Sequence, residues 1–240
     1  MGEKAMLEIR NLTKTYGEKK AVDNLTLEIK DGEIYGFIGH NGAGKTTTLK
    51  ACIGLISFDT GDIIIDGVSV LRDPMECKRI TAYIPDNPDL YDFLSGIKYL
   101  NFVADVYKVG DERDALIKKY ADLFGLTGDL ASPIGTYSHG MKQKLAIISA
   151  WIRSPKFIMM DEPFVGLDPK ASHILKGMMR EHCDKGGAIF FSTHVLEVAE
   201  KLCDKVAIIK DGKLVASGTI EEVTGDASLD STFLELEDDE

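Results

Sequence analysis

The sequence predicts an α/β fold: a mainly parallel sheet covered on both faces, an N-terminal antiparallel β unit, and an inserted helical lobe. Three observations carry this. Apolar runs at 157–160, 188–191 and 206–209 are separated by helix-length segments, the texture of strands buried on both faces. Leu25, Leu27 and Ile29 alternate with Thr26, Glu28 and Lys30, the period-two pattern of a strand with one buried face. From about residue 95 to 154 the pattern is helical.

In chain order, 6–12 and 22–30 are the first two strands, joined by a loop at 13–17. Tyr16 on that loop is either a surface for stacking a base or a hairpin-edge aromatic. Residues 33–38 form a short apolar strand and 47–55 a helix. Between them Gly39-His40-Asn41-Gly42-Ala43-Gly44-Lys45-Thr46 matches G-x-x-x-x-G-K-[ST], the loop that wraps nucleotide phosphates. Strand, glycine loop and helix are the context that confirms the motif. Its glycines let backbone N–H groups approach phosphate oxygens, and the helix N-terminus adds open donors and positive partial charge. Asn41, Gly42, Ala43, Gly44 and Thr47 are the expected cradle, Lys45 reaches the β- and γ-phosphates, and Thr46 ligates Mg2+.

Strands follow at 61–66 and 80–84, the second ending at Pro85. Residues 86–96 are a turn-rich loop carrying Leu90, Tyr91, Phe93 and Leu94, which either packs within the lobe or helps form a groove for a membrane partner. Two helical stripes follow, Ile97/Leu100/Val103/Ala104/Tyr107 and Leu116/Tyr120/Leu123/Phe124. Ser138 is the expected N-cap of a helix running to about Ser154, with Gly140 leaving its first amides open to an anion. Pro155 closes the lobe.

The strand at 157–161 ends in two acids, Asp161 and Glu162. An acid ending an apolar strand beside a phosphate loop is placed to hold Mg2+, which is the role read for Asp161; Glu162 is placed to accept a proton from attacking water. His194 follows the strand 188–192, at the end of the parallel sheet where ligands bind, and position is the argument for it. His173 and His182 fall on an expected surface helix and receive no chemistry. Asp211-Gly212 is a hairpin turn, and the acidic stretch from Glu235 to Glu240 is expected to be loosely held.

With 39 acidic against 28 basic residues, the formal charge is −11, which argues against electrostatic nucleic-acid binding by the whole chain. The four cysteines form no C-x-x-C pair, so reduced structural thiols and no zinc site are expected. No apolar run has the length of a membrane span and no apolar signal core opens the chain, so any membrane role is expected through a partner.

Taken together the motifs resemble the nucleotide-binding subunit of an ABC transporter over essentially residues 6–224. Tyr16 looks like the family's adenine-stacking aromatic and 39–46 like its phosphate loop. Asp86 falls where the loop to the membrane subunit usually begins with Gln, and is an expected neighbour of Mg2+. Residues 137–141 fall where the signature L-S-G-G-Q belongs. Asp161 and Glu162 match the magnesium and catalytic acids, 165–168 the D-loop and His194 the switch histidine. The resemblance implies a P-loop NTPase, RecA-like core at 1–94 and 155–225, a signature lobe at 95–154 and an acidic tail at 226–240. It implies ATP and Mg2+ sandwiched between the phosphate loop of one subunit and Ser138 and Gly140 of a second, in a head-to-tail pair coupled to a separate permease at the cytoplasmic face of the membrane. Lys45, Glu162 and His194 then carry catalysis. The sequence departs from the signature at Tyr137, His139 and Met141, and Tyr-Ser-x-Gly-Met-Lys-Gln resembles bacterial drug, peptide or lipid exporters more than nutrient importers. The competing readings are a soluble ABC ATPase acting on ribosomes or DNA, and a P-loop GTPase or small-molecule kinase. The first usually carries a second ATPase domain or an added module, and the second leaves Ser138 to Gln143 and His194 unexplained.

Overall fold

The computed structural model of the chain describes residues 5–225 and 227–238. The chain opens with a long hairpin, β1 (Ala5–Tyr16) and β2 (Lys19–Lys30), then β3 (Ile34–Ile38) and α1 (Lys45–Cys52). A second hairpin, β4 (Thr60–Ile65) and β5 (Val68–Ser69), leads through α2 (Pro74–Ile80) to β6 (Thr81–Ile84). The lobe follows as α3 (Gly96–Val106), α4 (Arg113–Phe124) and α5 (His139–Trp151). The chain then alternates through β7 (Phe157–Asp161), α6 (Pro169–Asp184), β8 (Ala188–Thr193), α7 (Leu196–Leu202), β9 (Lys205–Lys210) and β10 (Lys213–Thr219), and ends in α8 (Ile220–Thr224) and α9 (Leu229–Asp238).

Two sheets result. The first is antiparallel, in the order β2-β1-β4-β5; the second runs β10-β9-β3-β8-β7-β6 and is parallel except for β10. All five residues of β3 and of β7 are buried, because both faces of the second sheet are covered. Alternation survives inside that burial. Phe157 and Met159 face the core shared with the first sheet, whereas Ile158 and Met160 face the core shared with the lobe. The β9–β10 turn uses Asp211 at φ 47° and Gly212 at φ 80°, the two left-handed residues that match the twist of a tight hairpin.

The fold agrees with the sequence reading in class and differs at several elements. β1 and β2 extend to Tyr16 and from Lys19, so the loop at 13–17 is largely strand. Helix α2 was not anticipated; its signal is Asp73 before Pro74, with the Asp73 carboxylate accepting from the Glu76 amide at 3.0 Å. The buried stripe of α4 is Ile117, Ala121 and Phe124, while Leu123 is 38% exposed. α5 stops at Trp151 rather than near Ser154. His182 is half-buried, not on the surface, and its Nε2 lies 3.2 Å from the Lys156 carbonyl oxygen. Most of the expected tail is helix α9, with Leu229 fully buried against α7 and β9; residues 226, 239 and 240 lie outside the described residues.

Candidate functional site

The glycine loop joins β3 to α1, and its shape depends on two residues without Cβ. Gly44 has φ 113°, and a Cβ there would lie 2.3 Å from the Ala21 carbonyl oxygen, so no side chain fits. Gly42 has φ 87° but faces open space. No side chain caps α1, which leaves its first amides for an anion. Lys45 is only 6% exposed, and its ammonium donates to the carbonyls of Gly39 at 2.5 Å and His40 at 3.2 Å. Burial lowers its pKa, and the nearby Glu162 and Asp161 push it back up.

Opposite the loop, β7 and β8 end side by side, with Asp161 paired to Ser192 in register. Asp161 is 3% exposed and fully engaged: the Thr46 hydroxyl donates to Oδ2 at 2.6 Å and the Ser192 hydroxyl to Oδ1 at 2.5 Å. Ser192 Oγ in turn accepts from the Glu162 amide at 3.0 Å. Glu162 sits at φ 47°, a left-handed conformation that costs about 1–3 kcal/mol and is held by this network. Its Oε2 is 2.9 Å from His194 Nδ1, and its Oε1 is 3.7 Å from the Lys45 ammonium. That Oε1 is buried with no hydrogen-bond partner, an acceptor ready for a proton.

A cavity of about 350 Å³ lies between the loop and the two acids; Tyr16, Asn41, Gly42, Thr47, Asp86 and Glu162 are among its walls, and His194 is not. Tyr16 pairs with Lys19 at the hairpin end, is 52% exposed, and walls the cavity. Asp86 is exposed at the cavity edge. Thr46 and Asp161 together offer two hard oxygen donors, the small protein share that Mg2+ takes when phosphates and water complete its shell. Among the described residues no group of three or more His, Cys, Asp or Glu is placed to hold a metal ion.

Ser138 and Gly140 are not among the walls of this cavity. Ser138 caps α5 by accepting from the Met141 amide at 3.3 Å. Gly140 has a reason within the chain itself: a Cβ there would lie 2.5 Å from the Gly166 carbonyl oxygen. His139 lies over Gly166 in the same way, its Cδ2 2.4 Å from where a Gly166 Cβ would be. The start of α5 is thus packed on the segment after Glu162. Lys144 adds an ion pair to Asp168 at 2.7 Å, and the fully buried Gln143 reaches the Pro163 carbonyl at 3.5 Å.

Ser192 is the site residue that sequence reasoning missed. A polar residue ending an apolar strand, two before His194, was a signal; its partner became visible only when the strands were aligned.

A model of the ABC transporter family matches residues 22–165. The ABC-type transporter ATP-binding protein EcsA of Bacillus subtilis (strain 168) is 34% identical over 240 residues, covering 97% of this chain and 96% of that protein. The Nod factor export ATP-binding protein I of Burkholderia orbicola (strain AU 1054) is 35% identical over 216 residues, covering 89% of this chain and 71% of its own. A solved structure described as the ATP-binding subunit of an ABC transporter superposes with a TM-score of 0.93 at 36% identity, covering 97% of this chain and 99% of its own.

Proposed function

This chain belongs to the ATP-binding domain family of ABC transporters, and from that premise we propose that it hydrolyses ATP as half of a head-to-tail pair that powers export through a separate membrane subunit. The observation that carries the reading is the split of the site. The phosphate loop, Asp161 and Glu162 wall one cavity, with His194 joined to it through Glu162, while the exposed Ser138 at the start of α5 is not part of its wall. One chain therefore holds two half-sites, and a second copy completes each.

In this reading Tyr16 stacks on the base, the loop amides and Lys45 hold the phosphates, and Ser138 and Gly140 meet the γ-phosphate of the partner's nucleotide. Thr46 and Asp161 would hold Mg2+, with Asp86 at the edge of its shell; the ion supplies charge neutralisation when bound. Glu162 Oε1 takes the proton of the attacking water, and His194 fixes the carboxylate through Oε2. Among the described residues no helix is long and apolar enough to cross a membrane. In this reading the chain meets the membrane subunit at the cytoplasmic face. The docking surface is the aromatic face of the lobe. Tyr91, Phe93 and Phe102 are 50%, 81% and 47% exposed, with the Tyr91 ring 5.9 Å from Phe93 and 6.0 Å from Phe102. Export rests on the Tyr-Ser-x-Gly-Met-Lys-Gln pattern and on the likeness to a Nod factor export protein.

The test is Glu162→Gln. Losing the proton acceptor should lower ATP turnover by about 10²–10⁴-fold while Mg-ATP still drives the pair together on a sizing column. Unchanged turnover, or a variant that stays monomeric with saturating Mg-ATP alone and beside its membrane subunit, would overturn the reading. Recovery of the tagged chain on ribosomes or DNA instead of membranes would favour the soluble relatives.

A further inference from the structure

Tyr16 is half exposed at the rim of the nucleotide cavity. A side chain so placed has rotamer freedom to lose when a base lands on it. Its surroundings hold it still. The Lys14 ammonium lies 5.0 Å from the centroid of the Tyr16 ring, within the range of a cation–π contact. For a lysine it is withdrawn from water, its side chain only 13% exposed. Lys14 is not among the walls of the cavity, so its charge covers a part of the ring turned away from the nucleotide.

The lysine is itself braced. Its ammonium lies 3.9 Å from Oδ1 of Asp59, the residue just before β4. The other oxygen of that carboxylate accepts from the Thr15 amide at 2.6 Å, and the Asp59 amide donates to the Thr13 carbonyl at 2.9 Å. One residue of a neighbouring strand thus clasps three successive residues of β1. The same hairpin end is seated on the phosphate loop. The β1–β2 ladder slips by one residue, pairing Lys14 with Val22 and Thr15 with Lys20, and leaves Ala21 between them as a bulge. Ala21 walls the cavity, and its carbonyl oxygen is the atom 2.3 Å from where a Gly44 Cβ would be. Ring, brace and phosphate cradle therefore form one connected unit.

Resting on the stacking of the base on Tyr16 proposed above, we propose that Lys14 is a positioning residue for the nucleotide base: seated on Asp59, its ammonium holds the Tyr16 ring facing the cavity. Lys14 touches neither base nor phosphate and acts through the ring. A ring ordered in advance has less freedom to surrender on binding, so the gain falls on affinity for the base-bearing ligand and not on the hydrolytic step.

The test compares Mg-ATP with Mg-tripolyphosphate, which has phosphates and no base, by calorimetric titration of the full chain. Lys14→Met should weaken Mg-ATP about three- to tenfold, leave Mg-tripolyphosphate within about twofold, and raise KM for ATP without lowering kcat. Lys14→Arg, which keeps a cation over the ring, should recover the affinity. In a Tyr16→Ala background Lys14→Met should cost nothing further. Should Lys14→Met melt below the assay temperature, Asp59→Asn replaces it; the amide oxygen still accepts from Thr15 while the lysine loses its counterion, and the same selective loss is expected. Equal weakening of tripolyphosphate, an undiminished Mg-ATP affinity in a folded Lys14→Met, a fall in kcat alone, or an additive loss in the Tyr16→Ala background overturns the proposal. If Tyr16→Ala by itself binds Mg-ATP as tightly as the wild type, it is the stacking reading that fails.

Discussion

A single hydroxyl, that of Ser192, ties the two acids of the site together. It donates to Asp161 Oδ1 and accepts from the Glu162 amide. Ser192→Ala leaves a buried carboxylate oxygen and a backbone amide without partners, which costs about 1–3 kcal/mol each in such settings. It also frees Glu162 from its left-handed conformation. We expect turnover to fall on the order of 10²-fold, the penalty for slight misplacement of a catalytic group, while Mg-ATP affinity changes far less. Single-turnover hydrolysis beside nucleotide titration checks this, and full activity in the variant would show that Glu162 is held by other means. The loop residues 39–46 were legible in the sequence because their chemistry is local and their spacing is the message. Ser192 was not, because the register that pairs it with Asp161 is a property of two strands separated by a helix.

At the scale of elements, α6 illustrates both the strength and the blind side of periodicity. Its buried face is Ala171, Leu175, Met178, Met179 and Cys183, a helical stripe. His182 sits at the edge of that stripe, and periodicity alone does not separate an edge residue from a surface one. What buries it is tertiary. Its ring lies over Gly187, where a Cβ would be 2.2 Å from Nε2, and 6.4 Å from the Trp151 ring. Burial lowers the His182 pKa from its ordinary 6.5, ahead of the opposing effect of its bond to the Lys156 carbonyl. Below pH 6.5 the unfolded chain therefore binds more protons here than the folded one, and stability falls as the pH is lowered. Urea melts between pH 7 and 5 should show that loss in the wild type. His182→Gln, which keeps a donor toward Lys156, should flatten it; an unaltered slope would mean that other groups set the acid response. The same limit explains α2 and α9. Short or amphipathic segments earn their helices from packing, and the sequence alone left 226–240 as tail.

For the whole molecule, charge is the quantity that was readable from the start. Each copy carries a formal −11, so two copies approaching one another repel before nucleotide brings them together. Raising ionic strength from about 0.01 to 0.15 M shortens the screening length from about 30 to 8 Å. Association of the Glu162→Gln chain with Mg-ATP should accelerate several-fold over that range, as followed by stopped-flow light scattering. A slowing with salt would mean that complementary local patches outweigh net repulsion. The position of the lobe was equally readable, because the period of the apolar pattern changes at its start. That the start of α5 would pack on the segment after Glu162 was not, since contacts such as Lys144 with Asp168 link residues 24 apart in sequence.

The lobe is spliced between β6 and β7, which are adjacent, parallel and paired from Thr81–Phe157 to Ile84–Met160. Because the two strands run the same way, the chain departs near Asp86 at one end of the pair and comes back near Arg153 at the other. The lobe is therefore fastened at opposite ends of one strand pair, and the nucleotide pocket lies beside the fastening at Asp86.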